Sequence, residues 1–279
     1  MQDHLRVRMP TGLSSLDPVL DGGIPPGSVV LLLGEIGAGN SEFAHSSIVS
    51  LSLLKANGGG QNQHALLPAE IAYITFTKMR EDVLNDITLS FNPGSYDLLQ
   101  QEVVFDDLSE LYFDASIVPP GWYGDGDIFS RLQKKQRKEN GDILADLSHV
   151  LSSKQQNSLI ILDSLTDIAT TYMNDADWHT LIAFLRGLQR VAKRWNSTIY
   201  LLLTAGILEE SKEIEIADCT DALILFRWED VGAQRRQRIM YFEKFQGVMP
   251  YLEERDLVKF AVKISAANGF EVRNIRVVV

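Results

Sequence analysis

The sequence predicts an α/β fold: a mainly parallel sheet with helices on both faces and an antiparallel extension at its C-terminal end. Three observations indicate this. Several short segments are apolar throughout, as strands covered on both faces are. Segments with helical periodicity separate them. Beyond Asp218, strand-like segments follow one another with no helical pattern between them.

Residues 29–203 alternate between the two patterns. Predicted strands are Val29–Leu33, Ile71–Phe76, Glu102–Phe105, Leu159–Leu162 and Ile199–Leu203. Predicted helices are a segment after Ser41 that stops at Asn57, then Glu81–Leu89, Ile143–Leu151 and Leu181–Trp195, the last with apolar residues at steps of three and four.

The segment beyond Asp218 predicts antiparallel strands. The segments are Ala222–Trp228, Arg238–Phe245, Phe260–Ile264 and Phe270–Val278, and Asn268-Gly269 is a typical hairpin turn. We expect them to extend the same sheet. The prediction is therefore one domain over residues 1–279, with an insertion or long loop at about 94–140.

Composition limits the classes of function. The formal net charge of the 279-residue chain is -11, which disfavours binding to nucleic acid except at a local basic patch. Cys219 is the single cysteine, so an intramolecular disulfide and a thiolate-rich zinc site are excluded. No apolar segment is long enough for a membrane span, and we expect a cytoplasmic protein without a membrane partner.

The loop after the first strand reads GEIGAGNS, which is typical of a phosphate-binding P-loop with one change. In such loops backbone N–H groups converge on phosphate oxygens, a lysine adds a positive charge, and a hydroxyl holds Mg²⁺. Asn40 stands where that lysine is expected. The predicted nucleotide-binding residues are Gly34, Glu35, Ile36, Gly37, Ala38, Gly39, Asn40 and Ser41.

The longer segment Thr11–Ser41 resembles the start of the KaiC and RadA branch of the RecA-like ATPases. The matching positions are Thr11, Gly12, Leu16, Asp17, Gly22, Gly23, Ile24, Pro25, Gly27, Gly34 and Gly39. The resemblance implies a RecA-like P-loop NTPase core, ATP or a related nucleotide as ligand, and Mg²⁺ held by Ser41 and by Asp163 at the end of a Walker B strand. It also implies an archaeal source and a homo-oligomer, or assembly with an active relative.

Departures from the family pattern predict slow or absent hydrolysis. Asn40 removes the lysine, Phe76-Thr77-Lys78 stands where the family has Phe-Glu-Glu, and Gln246 stands where a neighbouring subunit's arginine is expected. A cationic contact, a general base and an arginine finger would thus all be missing. We therefore expect a nucleotide-binding protein with a regulatory or scaffold role, a pseudo-ATPase.

Two alternatives remain open. One is an active ATPase whose catalytic lysine has moved, with Lys78 or Lys244 as candidates, although solvation at the surface is the simpler expectation for Lys78. The other is an interaction protein that no longer binds nucleotide.

The basic runs Arg235–Arg238 and Lys134–Lys138 are interpreted as a solvated hairpin edge and a solvated helix face. Trp122 and Tyr123 predict either a partner contact or simple loop packing.

Overall fold

The computed structural model describes residues 7–59, 65–91, 93–114, 116–123, 142–232 and 235–275. All nine strands in these ranges lie in one sheet, in the order β3-β2-β4-β5-β1-β6-β7-β8-β9. They are β1 Val29–Gly34, β2 Ile71–Thr75, β3 Val103–Asp107, β4 Leu159–Asp163, β5 Thr198–Thr204, β6 Ala222–Val231, β7 Arg235–Phe245, β8 Lys259–Ser265 and β9 Gly269–Asn274.

The sheet has a parallel and an antiparallel part. The six strands β3-β2-β4-β5-β1-β6 pair in parallel, and β1 lies between β5 and β6. The ladders β6–β7, β7–β8 and β8–β9 are antiparallel. The predicted fold class is therefore confirmed. The single sheet agrees with one domain, but the bounds 1–279 stay a prediction.

Nine α-helices fall within the described ranges. They are α1 Asn40–Ala56, α2 Arg80–Ser90, α3 Tyr96–Glu102, α4 Ser109–Asp114, α5 Ile143–Ser152, α6 Leu165–Thr171, α7 Asp175–Trp195, α8 Glu210–Asp218 and α9 Met249–Glu254. Alternate residues along each strand lie on opposite faces of the sheet, and the two faces form two separate apolar clusters. One cluster includes residues of α1 and α2, and the other includes residues of α5 to α8. Both faces of the parallel part are thus covered, as its uniformly apolar strands predict.

Helix α1 is fixed beneath the antiparallel part by aromatic packing. The ring of Phe43 lies 5.7 Å from that of Phe226 and 5.4 Å from that of Phe270, both edge to face. Ser46 Oγ accepts a hydrogen bond from the N–H of Phe270. These contacts hold the first turn of α1, and with it the glycine loop that precedes the helix, against β6 and β9.

Several predicted boundaries need correction. Helix α7 begins at Asp175, six residues before the predicted start, because the Asn174 side chain caps it by accepting from the N–H of Asp177. The last strand is described as far as Asn274, and its predicted end at Val278 lies outside the described residues. A short helix, α9, also interrupts the antiparallel strands, which were expected to follow one another without helices.

Candidate functional site

A cavity of about 330 Å³ opens where β1, β4 and β5 end, at the carboxyl edge of the parallel strands. Open α/β sheets usually bind ligands at this edge. One wall, here called the loop wall, consists of Gly34, Glu35, Ile36, Gly37, Asn40 and Ser41. The opposite wall, here called the strand wall, includes Thr77, Lys78, Asp163, Ser164, Asp167 and Thr204. Two of the eight predicted loop residues, Ala38 and Gly39, are buried and do not line the cavity.

The backbone of the loop wall has the conformation that an anion cradle needs. Gly37 has φ 72° and Gly39 has φ 118°, values that a residue with a Cβ rarely adopts. Gly39 is the N-cap of α1 and no side chain caps this end, so the first-turn N–H groups of a 17-residue helix point toward the cavity. A helix N-terminus with free N–H groups attracts phosphate. Two N–H groups of the loop before the helix are already used, because Glu35 donates to the Phe226 carbonyl and Ala38 to the Glu35 carbonyl, each at 2.9 Å.

Asn40 does not reach into the cavity as a phosphate contact. Its side-chain amide donates to the carbonyl of Leu32 at 3.4 Å, so the amide group is turned back along β1. An ideal Cβ placed on Gly34 would lie 2.5 Å from Cγ of Asn40, which shows how closely the two residues pack. Asn40 therefore stabilises the shape of the loop and leaves the loop wall without a cationic side chain.

Two residues of the β6–β7 hairpin hold the loop from outside. Trp228 donates from its backbone N–H to the Glu35 carboxylate at 3.0 Å and from its indole N–H to the Ile36 carbonyl at 3.1 Å. Arg238 donates from Nε to the Gly37 carbonyl at 2.8 Å, and its guanidinium lies 4.5 Å from the centre of the Trp228 ring. The loop is thus held by three contacts that the sequence analysis missed.

These contacts correct the interpretation of a solvated hairpin edge at Arg238, which pairs with Trp228 of β6 and with Val262 of β8. Arg235 and Arg236 are exposed and have ladder partners in β6 alone, as that interpretation predicts. The register of the β6–β7 hairpin is the signal that would have identified these contacts. Trp228 and Arg238 are directly opposite each other across the ladder, where cation–π stacking of an arginine on a tryptophan is favourable.

The strand wall supplies the positive charge that the loop lacks. Lys78, just beyond β2, places Nζ 2.7 Å from Oδ2 of Asp163, the last residue of β4. The same oxygen accepts a hydrogen bond from the hydroxyl of Tyr73 in β2. The Asp163 side chain is 7% exposed and the Lys78 side chain 41% exposed. The expectation that Lys78 is simply solvated at the surface is therefore wrong.

A buried histidine extends this network to α1. Nε2 of His45, a buried residue of α1, lies 3.3 Å from the Tyr73 hydroxyl. Burial lowers the pKa of His45 to about 4, although the nearby Asp163 charge opposes this. Burial and the Asp163 carboxylate raise the pKa of Tyr73, which stays a hydroxyl donor. The Asp163 carboxylate is therefore held by Tyr73 from below and by Lys78 from the cavity.

The donor set predicted for Mg²⁺, Ser41 and Asp163, lines the cavity but does not fit the ion in this arrangement. Oδ2 of Asp163 already accepts from a tyrosine hydroxyl and an ammonium group. Mg²⁺ requires carboxylate oxygens and waters in octahedral geometry, and a neighbouring ammonium would repel it. Within the described residues, no group of three or more His, Cys, Asp or Glu side chains could hold a metal.

The other candidate lysine, Lys244, does not line the cavity. Its Nζ donates to the carbonyls of Ala217 at 3.0 Å and Asp218 at 3.2 Å, at the C-terminal end of α8. A lysine at this end of a helix is favourable because its positive charge lies beside the last carbonyls. In this chain Lys244 therefore stabilises a helix terminus, and it contributes nothing to its own chain's cavity.

Of the two expectations for Trp122 and Tyr123, loop packing is observed at Tyr123, and a partner contact stays a prediction. Tyr123 packs on Phe113 with ring centres 5.2 Å apart, as loop packing predicts, while Trp122 is 76% exposed. Both line a second cavity of about 270 Å³ that borders the first at Thr77.

The run Lys134–Lys138 lies outside the described residues. Across the described ranges, no helix is long and apolar enough to span a bilayer.

Comparison with known proteins places these features in a family context. The Rad51 family matches residues 2–96. Two curated relatives from Zea mays, DNA repair protein RAD51 homolog B and homolog A, are 34% and 33% identical to this chain over 64 residues. These matches cover 23% of this chain and 19% of each relative, so they span only about a fifth of the curated proteins.

Solved structures match the fold over nearly the whole chain. The KaiC-like protein PH0186 of Pyrococcus horikoshii has a TM-score of 0.56 and 16% identity, with 95% of this chain and 98% of that chain covered. The flagellar accessory protein FlaH of Methanocaldococcus jannaschii has a TM-score of 0.60 and 17% identity, with 94% and 96% covered. At such identities the likeness shows the fold, which is RecA-like.

Proposed function

We propose that this chain, a RecA-superfamily protein of the KaiC- and RadA-like branch, binds a nucleoside polyphosphate such as ATP at its glycine loop and hydrolyses it slowly or not at all. The observation that supports binding is the open N-terminus of α1 facing a cavity of about 330 Å³. The loop backbone, with Gly37 and Gly39 at positive φ, supplies N–H groups that need no side-chain charge to contact phosphate.

Three carboxylates are present among the described residues that line the cavity. Each already accepts a hydrogen bond through one oxygen, which stabilises the ionised form and weakens it as a general base. Glu35 accepts from the Trp228 N–H, Asp163 from Tyr73 and Lys78, and Asp167 from the N–H and hydroxyl of Ser164. A general base must reach the proton that it abstracts from the attacking water. Thr77 and Lys78 occupy the strand end where the family carries its carboxylate. No carboxylate therefore stands at that position to activate the attacking water.

A binding and turnover experiment tests the proposal. Isothermal titration calorimetry with ADP and ATP, each with excess MgCl₂ and with excess EDTA, measures affinity. A phosphate-release assay on the same sample measures hydrolysis. We expect saturable binding with one nucleotide per chain and phosphate release no faster than the rate without protein.

Each other outcome supports one of the alternatives. Absence of heat and of any thermal shift under both conditions would reject nucleotide binding and favour an interaction protein. Binding with steady phosphate release would establish an ATPase, and loss of that release in Lys78→Met would identify the relocated lysine. Substitution of Gly39, discussed below, shows whether binding uses the loop.

Assembly and location remain proposals. We propose a regulatory or scaffold role in a cytoplasmic homo-oligomer, or in an assembly with an active relative. The net charge of -11 continues to disfavour nucleic acid as the partner. Analytical ultracentrifugation with and without nucleotide tests self-assembly, and a strictly monomeric protein in both states would reject the homo-oligomer.

A further inference from the structure

The position of Lys78 bears on which form of the nucleotide the cavity accepts. Among the described residues that line it, Lys78 is the single basic side chain. Its ammonium lies 2.7 Å from Oδ2 of Asp163, the carboxylate at the Walker B position. A cation therefore already occupies the space beside this carboxylate.

Lys78 is held in this position by more than one interaction. Its backbone N–H donates to Oγ1 of Thr75 at 3.1 Å, which fixes the turn that follows β2. The β2–β4 pairing places Thr75 opposite Asp163 in the ladder, so the lysine and the carboxylate project from neighbouring strand ends. The Asp163 carboxylate is in turn fixed from below by the buried Tyr73 hydroxyl.

A divalent ion at the same place would have to displace this arrangement. Mg²⁺ would compete with Lys78 for Oδ2, and the two like charges would lie within a few ångströms of each other at the mouth of the cavity. An ammonium group has three donors, so Lys78 can keep one on Asp163 and direct the others at phosphate oxygens. On the loop wall, the Ser41 hydroxyl stays available to phosphate.

We propose that the Lys78 ammonium takes the place of the divalent cation in this cavity, so that the nucleotide binds as the metal-free phosphate, bridged through Lys78 to Asp163. This inference rests on the proposed nucleotide binding and specifies that the nucleotide is bound without a metal ion. The terminal phosphate contacts the ammonium, the loop backbone contacts the remaining phosphate oxygens, and no metal ion lies between them.

Calorimetric titration of ADP and ATP into the wild-type chain tests this. Affinity in excess EDTA should equal or exceed affinity in excess MgCl₂, because Mg²⁺ complexes the free nucleotide in solution. In Lys78→Met, metal-free affinity should fall about 10- to 100-fold, the range for loss of a charge-assisted hydrogen bond. Because Oδ2 of Asp163 is then open to a metal, MgCl₂ should recover part of the loss in this variant.

Lys193→Met is the matched control. Lys193 is also a half-exposed lysine paired with a buried carboxylate, that of Asp221, whose side chain is 5% exposed. That pair lies at the amino end of β1, where Asp221 accepts from the Val29 N–H, and Lys193 does not line the cavity. The control should lose stability as Lys78→Met does, yet keep its metal-free affinity within about twofold. Circular dichroism before each titration confirms that both variants are folded.

The outcomes separate this inference from the proposed function. Binding by the wild type only in MgCl₂ would overturn the role of Lys78 and leave nucleotide binding intact. Unchanged metal-free affinity in folded Lys78→Met would also overturn it. Absence of binding under both conditions would reject nucleotide binding itself.

Discussion

The two walls of the cavity contribute different chemistry. The loop wall offers backbone N–H groups and a hydroxyl, while Asn40, where a lysine is expected, is bonded to the Leu32 carbonyl. The strand wall offers side chains, with Lys78 on Asp163 at 2.7 Å. In the P-loop pattern the glycine loop carries both the cradle and the lysine. Here the cradle and the charge lie on opposite sides.

This difference shows that the shape and the charge of a candidate anion site can be contributed by separate segments of the chain. The loop keeps its shape through Gly37, Gly39 and the contacts of Trp228 and Arg238, none of which needs the lysine. The charge depends instead on the length of the turn after β2, which places Lys78 beside Asp163. Each wall can therefore be altered without directly changing the other.

The largest effect is expected from breaking the loop wall with Gly39→Val. At φ 118° a β-branched residue is strained, and a Cβ would lie 3.2 Å from the Phe270 ring. We expect loss of detectable nucleotide binding and a decrease of about 3 kcal/mol in the free energy of unfolding by urea. Gly58→Val is the control, since Gly58 also has positive φ but a Cβ there would meet nothing within 4 Å. Equal nucleotide affinity in Gly39→Val would show that the loop does not form the site.

Moving the charge from one wall to the other should have the next largest effect. In the double variant Asn40→Lys with Lys78→Met, a lysine returns to the loop and Asp163 is free of its ammonium partner. Relative to Lys78→Met alone, we expect nucleotide affinity in MgCl₂ to rise about 10- to 100-fold. Titration calorimetry measures it. Phosphate release should stay at background, because Thr77 still stands at the end of β2 without a carboxylate.

A fast turnover in that double variant would contradict the assignment of the missing base. No rise in affinity would mean that a lysine at position 40 cannot reach the phosphates. In that case the contacts of the loop with Trp228 and Arg238, rather than the missing charge, would limit binding.

The His45 network, which joins α1 of the loop wall to β2 and β4 of the strand wall, predicts a pH effect on stability. The folded pKa of His45 is about 4 and the ordinary value is 6.5. Between these values the unfolded chain binds a proton that the folded chain does not, so stability falls as pH decreases through this window and levels off below it. From about pH 8 to about pH 5 the loss should be about 2 kcal/mol.

Urea unfolding of the wild type and of His45→Gln at both pH values measures this contribution. Glutamine keeps a donor for the Tyr73 hydroxyl but does not titrate, so its pH-dependent loss should be smaller by about 2 kcal/mol. Equal pH dependence in the two proteins would show that His45 is not held neutral by burial.

The smallest effect is expected from Lys244→Ala, which touches neither wall. It removes a lysine from the carbonyls of Ala217 and Asp218 at the end of α8, which should lower the free energy of unfolding by about 0.5 kcal/mol. Nucleotide affinity should stay within about twofold. A tenfold loss of affinity in an assembled sample would place Lys244 at the nucleotide of a neighbouring subunit, as the family resemblance implies.

Much of the fold was predictable from local pattern. The order of strands and helices in the parallel part follows from apolar runs and helical periodicity, and all five predicted parallel strands are present. The resemblance of Thr11–Ser41 to the KaiC and RadA branch is confirmed by the Rad51 match and the two neighbouring folds. The short helices α3, α4, α6, α8 and α9 were missed, because segments of six to nine residues carry too few turns to show a period.

The sequence by itself determined the glycine loop, the absence of its lysine and the positions of Asp163 and Lys78 at strand ends, because each depends on residue type and local spacing. Tertiary structure alone decided that Lys78 meets Asp163, that Trp228 and Arg238 hold the loop, and that His45 is buried against Tyr73. These pairs lie between 28 and 201 residues apart in the chain. They meet only because the sheet order places β2 beside β4 and β6 beside β1, and local pattern does not specify that order.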